Sequence, residues 1–312
     1  MSQSPSNFDI LVYGPIFCDM IFTDLPAMPA LGKEIFADNF AVALGGSAIV
    51  AAGLRRLGAK VGLIADLGND SLSKLMATML DDLELDRSLT RRHAEALHQL
   101  TVALSFPRDR AFITRFRRPS TPPDLETILK QSGAQHLHIC SFWAVLETPR
   151  ICALAHDAGM TVSFDPGWDE EALRSKTVQD IIPELDFFLP NEMELLYLAE
   201  SRSVADAAHD VSRRMSRGQL ILKQGSRGAV AYTRAGETAV RVPPIPIAPV
   251  DTTGAGDSFD AGFLYGLING QSLTTSMEMG AVCGGLATTR ISGSLGCPTL
   301  QEVEAWRLKL QS

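Results

Sequence analysis

Cysteine is scarce in this chain. Five of 312 residues are cysteines (Cys18, Cys140, Cys152, Cys283 and Cys297), an odd number without any C-x-x-C spacing. Such a set builds neither a disulfide framework nor a zinc site, and it fits reduced thiols of a cytoplasmic protein, buried as small hydrophobes. Positive charge is also short: 28 Lys and Arg stand against 36 Asp and Glu, a formal net charge of −8. Nucleic-acid surfaces need clustered Lys and Arg, so no nucleic acid is expected as a partner. No Lys or Arg precedes Lys33, and a secretory leader with its basic start is not expected. The uncharged stretch 40–54 is too short to span a bilayer and is interrupted by Gly45-Gly46-Ser47, so no membrane partner is expected either. A P-loop is excluded, because Gly-x-x-x-x-Gly-Lys-Ser/Thr does not occur.

What is present is a composition for a packed core. Hydrophobic residues make up 46% of the chain, enough to argue against global disorder. Short apolar runs recur at Phe8–Tyr13, Val61–Ile64, Leu137–Cys140, Thr161–Phe164, Phe187–Leu189 and Gln219–Leu222. Helical patterns lie between them, as over Ser71–Leu83, Pro149–Ala158 and Val204–Met215. Strands alternating with helices predict an α/β fold with a mostly parallel sheet covered on both faces. No Pro/Gly-rich linker divides the chain, and residues 1–312 read as a single domain. Two segments break the alternation. Residues 21–44 are strand-like but carry Pro26, Pro29 and Gly32, and residues 100–116 alternate around Pro107-Arg108-Asp109-Arg110 as a hairpin does. Together they predict a small projecting sheet.

The densest chemistry lies in Asp251-Thr252-Thr253-Gly254-Ala255-Gly256-Asp257-Ser258-Phe259. Phe259, Phe263, Leu264 and Leu267 recur at helical spacing, so a helix is expected to start near Gly254. Its first N–H groups then lack intrahelical partners and point out of the Gly-Ala-Gly turn with the positive end of the dipole. Glycine lets an anion come close to such backbone. An acid at this spot would repel an anion. Asp257 reads instead as the group that takes a proton from a nucleophile while the turn holds phosphoryl charge. A capped helix start without a ligand is the plainer alternative.

Those nine residues resemble the C-terminal motif of the ribokinase-like, phosphofructokinase-B-type carbohydrate kinases. In that family the motif forms the anion hole and carries the catalytic base, which the resemblance puts on Gly254, Ala255, Gly256 and Asp257. It implies a ribokinase-like three-layer sandwich, with helices on both faces of the central sheet. It also implies a β lid, formed here by about 21–44 and 100–116, over the sugar and often used for dimer contacts.

Other positions have a local reading and a family reading side by side. Asp19 follows the first strand and is either a turn residue or, by resemblance, the acid that accepts sugar hydroxyls. Gly45, Gly46 and Ser47 open a helix running to Leu57-Gly58; the family packs a Gly-Gly pair on its substrate, and the resemblance makes Gly45, Gly46 and Ser47 substrate contacts. The Asn that usually follows that pair is missing here. Gly68-Asn69-Asp70 matches a family turn whose role is structural or binding, and Asp165 is a turn acid or one that lines the phosphate and metal region. Asn191 and Glu194 have the spacing of a capping box, and equally the spacing of the family's motif for Mg²⁺ and phosphate, acting through water. Lys223, Gly225, Ser226 and Gly228 form a turn between strands, and the resemblance adds them, with Thr252, to the nucleotide site. It further implies an adenine wall from 281–296 and a monovalent cation, K⁺, near Asp251 and Thr253.

His136-x-His138 sets two rings on one strand face without a third ligand, which argues against a metal. Gly254-x-Gly256-x-x-Phe259 lacks the third small residue of a dinucleotide fingerprint. Phe142, Trp143 and Trp168 suit packing better than stacking on a ligand. The expected activity is transfer of the γ-phosphoryl group of ATP to a hydroxyl of a small sugar-like substrate, with a homodimer formed through the lid. A nucleoside kinase of the same family, with Phe142 or Trp143 as apolar floor, is the alternative within enzymes. A non-catalytic sugar- or nucleotide-sensing protein on the kinase fold is the alternative outside them, and ligand-dependent ADP release separates it.

Overall fold

The structure, a computed structural model, describes residues 7–106, 110–291 and 293–311. Its strands are β1 (Ile10–Tyr13), β2 (Ile16–Thr23), β3 (Asn39–Gly46), β4 (Val61–Leu67), β5 (Thr90–Arg92), β6 (Leu100–Ser105), β7 (Arg110–Arg115), β8 (His136–Cys140), β9 (Thr161–Asp165), β10 (Phe187–Phe188), β11 (Gln219–Lys223), β12 (Ala229–Tyr232) and β13 (Thr238–Val242). Nine make one sheet in the order β13-β12-β11-β10-β9-β8-β1-β4-β5. All neighbours from β11 through β5 run parallel, and β12 and β13 close one edge as antiparallel hairpins.

Alternation along β1 explains why both faces are covered. Ile10 and Val12 point into one core, which takes Val50 and Leu54 from the helix Ser47–Leu57 and Phe259 and Phe263 from the helix Ala255–Ile268. Leu11 and Tyr13 point into the other, with Val145, Ile151, Leu195 and Val211 from helices on the opposite face. A central strand buried on both sides is apolar throughout, which is the pattern the sequence carries there.

The remaining strands form a separate sheet in the order β3-β2-β6-β7. It differs from the expected layout at one end. Its first strand begins at Ile16, not Ile21, and residues 24–38 form no strand. Pro26 and Pro29 lie in that interval, and proline has no N–H to give to a ladder. The expected turn at Pro107-Arg108-Asp109 lies outside the described residues, but its two strands pair antiparallel from Leu100↔Arg115 to Ser105↔Arg110.

The helices Ala255–Ile268 and Leu273–Ala287 touch backbone to backbone. A Cβ on Gly262 would lie 2.6 Å from the Met279 carbonyl oxygen and 2.7 Å from Cys283 Sγ, and one on Gly266 would lie 2.8 Å from Ser276 Cα. This contact fixes the axis along which residues 254–257 present their N–H groups. Gly262→Ala is therefore expected to destabilise the chain by about 1–3 kcal/mol through overpacking, read as a lower denaturation midpoint at unchanged m-value. An unchanged midpoint would mean that the helices part without cost.

Candidate active site

The helix Ala255–Ile268 begins on Gly254, whose φ of +73° lies in the left-handed region. A Cβ there would lie 2.6 Å from Gly293 Cα and 3.1 Å from Ile49 Cδ1, so only glycine fits. No side chain caps this helix. Ala255 N–H turns back to the Thr252 carbonyl at 3.3 Å, and Ser258 N–H goes to the Gly254 carbonyl at 2.9 Å. Among the described residues the N–H groups of Gly256 and Asp257 have no carbonyl partner. The turn is braced from beneath. Asp251 Oδ1 accepts from Thr253 N–H at 3.0 Å and from Thr253 Oγ1 at 2.8 Å, and Thr288 carbonyl accepts from Val250 and Asp251 N–H.

Asp257 stands in the first turn of that helix. Burial, and next the charge of Asp165, push its carboxyl up to about 7, against the pull of Lys223 and Arg110. A carboxyl in that range is about half ionised at neutral pH, and its ionised form is basic enough to act as a general base. Asp19 on β2 faces the same space. It is 8% exposed, and its Oδ1 has no hydrogen-bond partner among the described residues. Burial, then repulsion from Asp257, raise it to about 7, and a bond from Thr101 offsets part of that. A Cβ on Gly45 would overlap the Asp19 carboxylate, so the glycine makes room for the acid. Gly46, at φ +64°, starts the helix Ser47–Leu57. Ser47 does not face this space. It is fully buried, and its hydroxyl donates to the carbonyls of Gly14 at 2.9 Å and Pro15 at 3.1 Å. Its expected substrate contact gives way to a tie between the helix start and the β1–β2 corner.

Behind Asp257 lies a buried cluster of acids around one cation. Lys223 Nζ donates to Asp165 Oδ2 at 2.7 Å and to both oxygens of Asp260 at 3.1 and 3.2 Å. The lysine turns into the protein, away from the loop where the nucleotide was expected to meet it. Gly225, Ser226 and Gly228 do lie on that loop, as a short 3-10 turn between β11 and β12 with Ser226 exposed. Asn191 and Glu194 form the complete capping box: Glu194 N–H donates to Asn191 Oδ1 at 3.0 Å and Asn191 N–H to Glu194 Oε2 at 2.8 Å.

Among the described residues no three His, Cys, Asp or Glu side chains group to hold a metal ion. Glu194 is nonetheless pushed up to about 8, by burial and then by the Asp165 charge. A buried acid in a surplus of negative field fits an ion that brings most of its ligands with it, as Mg²⁺ does on phosphates and water.

Other candidates have structural roles. Asp70 caps the helix Ser71–Asp82, accepting from Ser73, Leu97 and His98 N–H, and these bonds hold its carboxyl down at about 2. His136 and His138 share the hydroxyl of Ser163 at 2.7 Å each, and burial holds both neutral, near 3. Trp143 packs on Phe142 and Phe116, and Trp168 meets Tyr197 edge-on. Sequence reasoning missed Asp260 and Arg110. Asp260 reads as an ordinary residue of the helix, and Arg110 acquires a role only from the β6–β7 register.

This geometry has close counterparts. A model of the pfkB family carbohydrate kinases matches residues 9–300. The fructokinase of Salmonella typhimurium is 31% identical over 266 residues, 78% of this chain and 85% of that one. The ribokinase of Lactococcus lactis subsp. lactis is 27% identical over 306 residues, 95% of this chain and 96% of that one. Arabidopsis thaliana ribokinase, solved in complex with ribose and ATP, superposes with a TM-score of 0.80 at 21% identity, covering 96% of this chain and 98% of that one. The chain belongs to the pfkB family of carbohydrate kinases, with a ribokinase-like fold and phosphotransferase activity toward a sugar hydroxyl.

Proposed function

We propose that the chain transfers the γ-phosphoryl group of ATP to a hydroxyl of a small sugar or sugar-like substrate, with Asp257 as general base. One observation carries the reading: the charge of half-buried Asp257 reaches buried Asp19, and at the helix start beside Asp257 the N–H groups of Gly256 and Asp257 have no carbonyl partner among the described residues. Asp19 holds the sugar through hydroxyls that donate to its unpartnered oxygen. Asp257 takes the proton of the acceptor hydroxyl as its oxygen attacks phosphorus and the bond to the ADP oxygen breaks. The N–H groups at the helix start, with the dipole behind them, hold the charge on the transferring group. The nucleotide lies along Gly225, Ser226, Gly228 and Thr252, against the wall made by residues 281–296. Asn191 and Glu194 would hold Mg²⁺ through water, and the ion would supply positive charge against the polyphosphate. Asp251 and Thr253 would border a K⁺ ion.

The small sheet closes over the sugar and excludes water. Its other face supports a homodimer. Cross-strand pairs set Met20, Phe22, Phe40, Val42, Val102 and Ile113 on one side, and Phe40 and Ile113 are 55% and 67% exposed. An apolar sheet face of this kind is covered in a stable protein, and a second copy covers it by symmetry. Five free, buried thiols agree with a reducing cytoplasm.

Four outcomes test this. Asp257→Asn keeps size and shape, so the variant should fold and bind ATP while turnover falls roughly 10²–10⁴-fold. In the parent protein, kcat/KM should rise as pH rises through about 7, because the base works only when ionised. Turnover near the parent level in the Asn variant would remove Asp257 from the mechanism. Asp19→Ala should weaken sugar binding by about 1.5–3 kcal/mol per lost charged hydrogen bond, with ATP affinity unchanged in the same calorimetric series. Equal sugar affinities would move the sugar off β2. Ile113→Lys should convert a dimer to a monomer in light scattering, and an unaltered mass would transfer the dimer contact to another surface.

A further inference from the structure

Lys223 is in direct contact with the acids behind the base. Its ammonium is clamped by Asp165 on β9 and by Asp260, which lies one helical turn after Asp257. It also reaches the anion turn itself. A Cβ on Gly256 would lie 3.6 Å from Lys223 Nζ, so the ammonium sits directly under the backbone that receives the phosphoryl group. Lys223 pulls the Asp165 carboxyl below its ordinary range against the effect of burial, while burial pushes the Asp260 carboxyl well above it, in a hydrogen bond with Asp165. The ammonium therefore stands chiefly against the charge of Asp165.

We propose that Lys223 is a positioning residue for the phosphoryl transfer: clamped between Asp165 and Asp260 beneath the Gly254–Asp257 turn, it balances the charge of the buried acid cluster so that Asp257 is free to accept the acceptor's proton at neutral pH. The proposal rests on the reading of Asp257 as base. The groups that face Asp257 come from every element around it. Asp165 ends β9, Lys223 ends β11, Asp19 comes from β2, Arg110 from β7, and Glu194 from the helix Glu192–Leu198. Asp260 shares its helix, and the Cys140 and Cys297 thiols are within its field. Lys223 is bonded directly to two acids of the cluster, Asp165 and Asp260.

Removal of the ammonium leaves Asp165 uncompensated, so Asp257 holds its proton to higher pH. Removal of the Asp165 charge as well restores the balance. The test compares pH profiles of kcat/KM for the parent, Lys223→Met and Lys223→Met/Asp165→Asn. The titration of ATP is common to all three and cancels. Lys223→Met should move the acid limb upward by about one pH unit, which lowers kcat/KM roughly fivefold at pH 7 and is recovered by pH 9. The double variant should return the limb toward the parent position. That recovery is opposite to what a structural role gives, since two lost contacts would then be worse than one. A limb unmoved in Lys223→Met, or a loss that persists at pH 9 and deepens in the double variant, overturns the proposal. If Lys223→Met does not fold, the double variant, with no unpaired charge, decides: a limb displaced from that of the parent overturns it, and a coincident limb supports it. Asp257→Asn keeps the two readings apart, because normal turnover there sinks the base itself. A dead Asn variant beside an unmoved Lys223→Met limb sinks only the role of Lys223.

Discussion

The bond network of Lys223 joins three elements at one point: the end of β9 through Asp165, the end of β11 through its own backbone, and the first turns of the helix Ala255–Ile268 through Asp260. An ion pair buried this deeply is a poor source of net stability, because desolvation cancels most of its attraction. Its effect is on geometry. With glycines pressing the helix against its neighbour on one side and the clamp holding its start on the other, the N–H groups of Gly256 and Asp257, which have no carbonyl partner among the described residues, have little room to move. A preorganised donor set is what stabilises developing charge without reorganisation at the moment of transfer.

The same cluster sets a conflict between stability and activity. Asp19 and Asp257 are raised to about 7 and Glu194 to about 8. Unfolded acids release their protons near pH 4, so between about 4 and 8 the folded chain binds more protons than the unfolded one. Stability from these groups is therefore largest at the acid end of that window and is lost as pH rises through it. The form of the protein in which Asp257 is ionised is the form in which the site strains the fold. A sugar hydroxyl on Asp19 and a cation beside Glu194 would each relieve part of that strain, which makes ligand binding and folding favour the same state.

Much of this was legible locally. The turn at 254–257 was readable because its signals lie within nine residues: the glycines, the braced Asp251–Thr253 pair and the helical period after them. The alternating strands were readable because burial on both faces leaves an apolar run. What was not legible depends on residues far apart in sequence. Ser47 looked like a substrate contact beside Gly45 and Gly46, but its partners are the carbonyls of Gly14 and Pro15. The clamp joins positions 165, 223 and 260, none of which marks the others in sequence. Arg110 enters the field of Asp257 only because β7 pairs with β6 in one register, and a slip of one residue would turn it to the other face.

That register links the site to the outer surface. Along β2, Asp19 and Ile21 point to one face of the small sheet, and Met20 and Phe22 to the other. On β6, Thr101 lies beside Asp19, while Val102 lies beside Met20. Strand alternation thus sets Asp19 and Thr101 on the inner face, beside the apolar Ile21 and Ala103, and Met20, Phe22, Val102 and Ile113 on the outer one. Only four strands thick in the pairing direction and without helices of its own, the sheet cannot bury both faces by itself. Its inner face packs on the main domain. Its outer face leaves Phe40 and Ile113 exposed, so the stability of the sheet is tied to whatever lies against them.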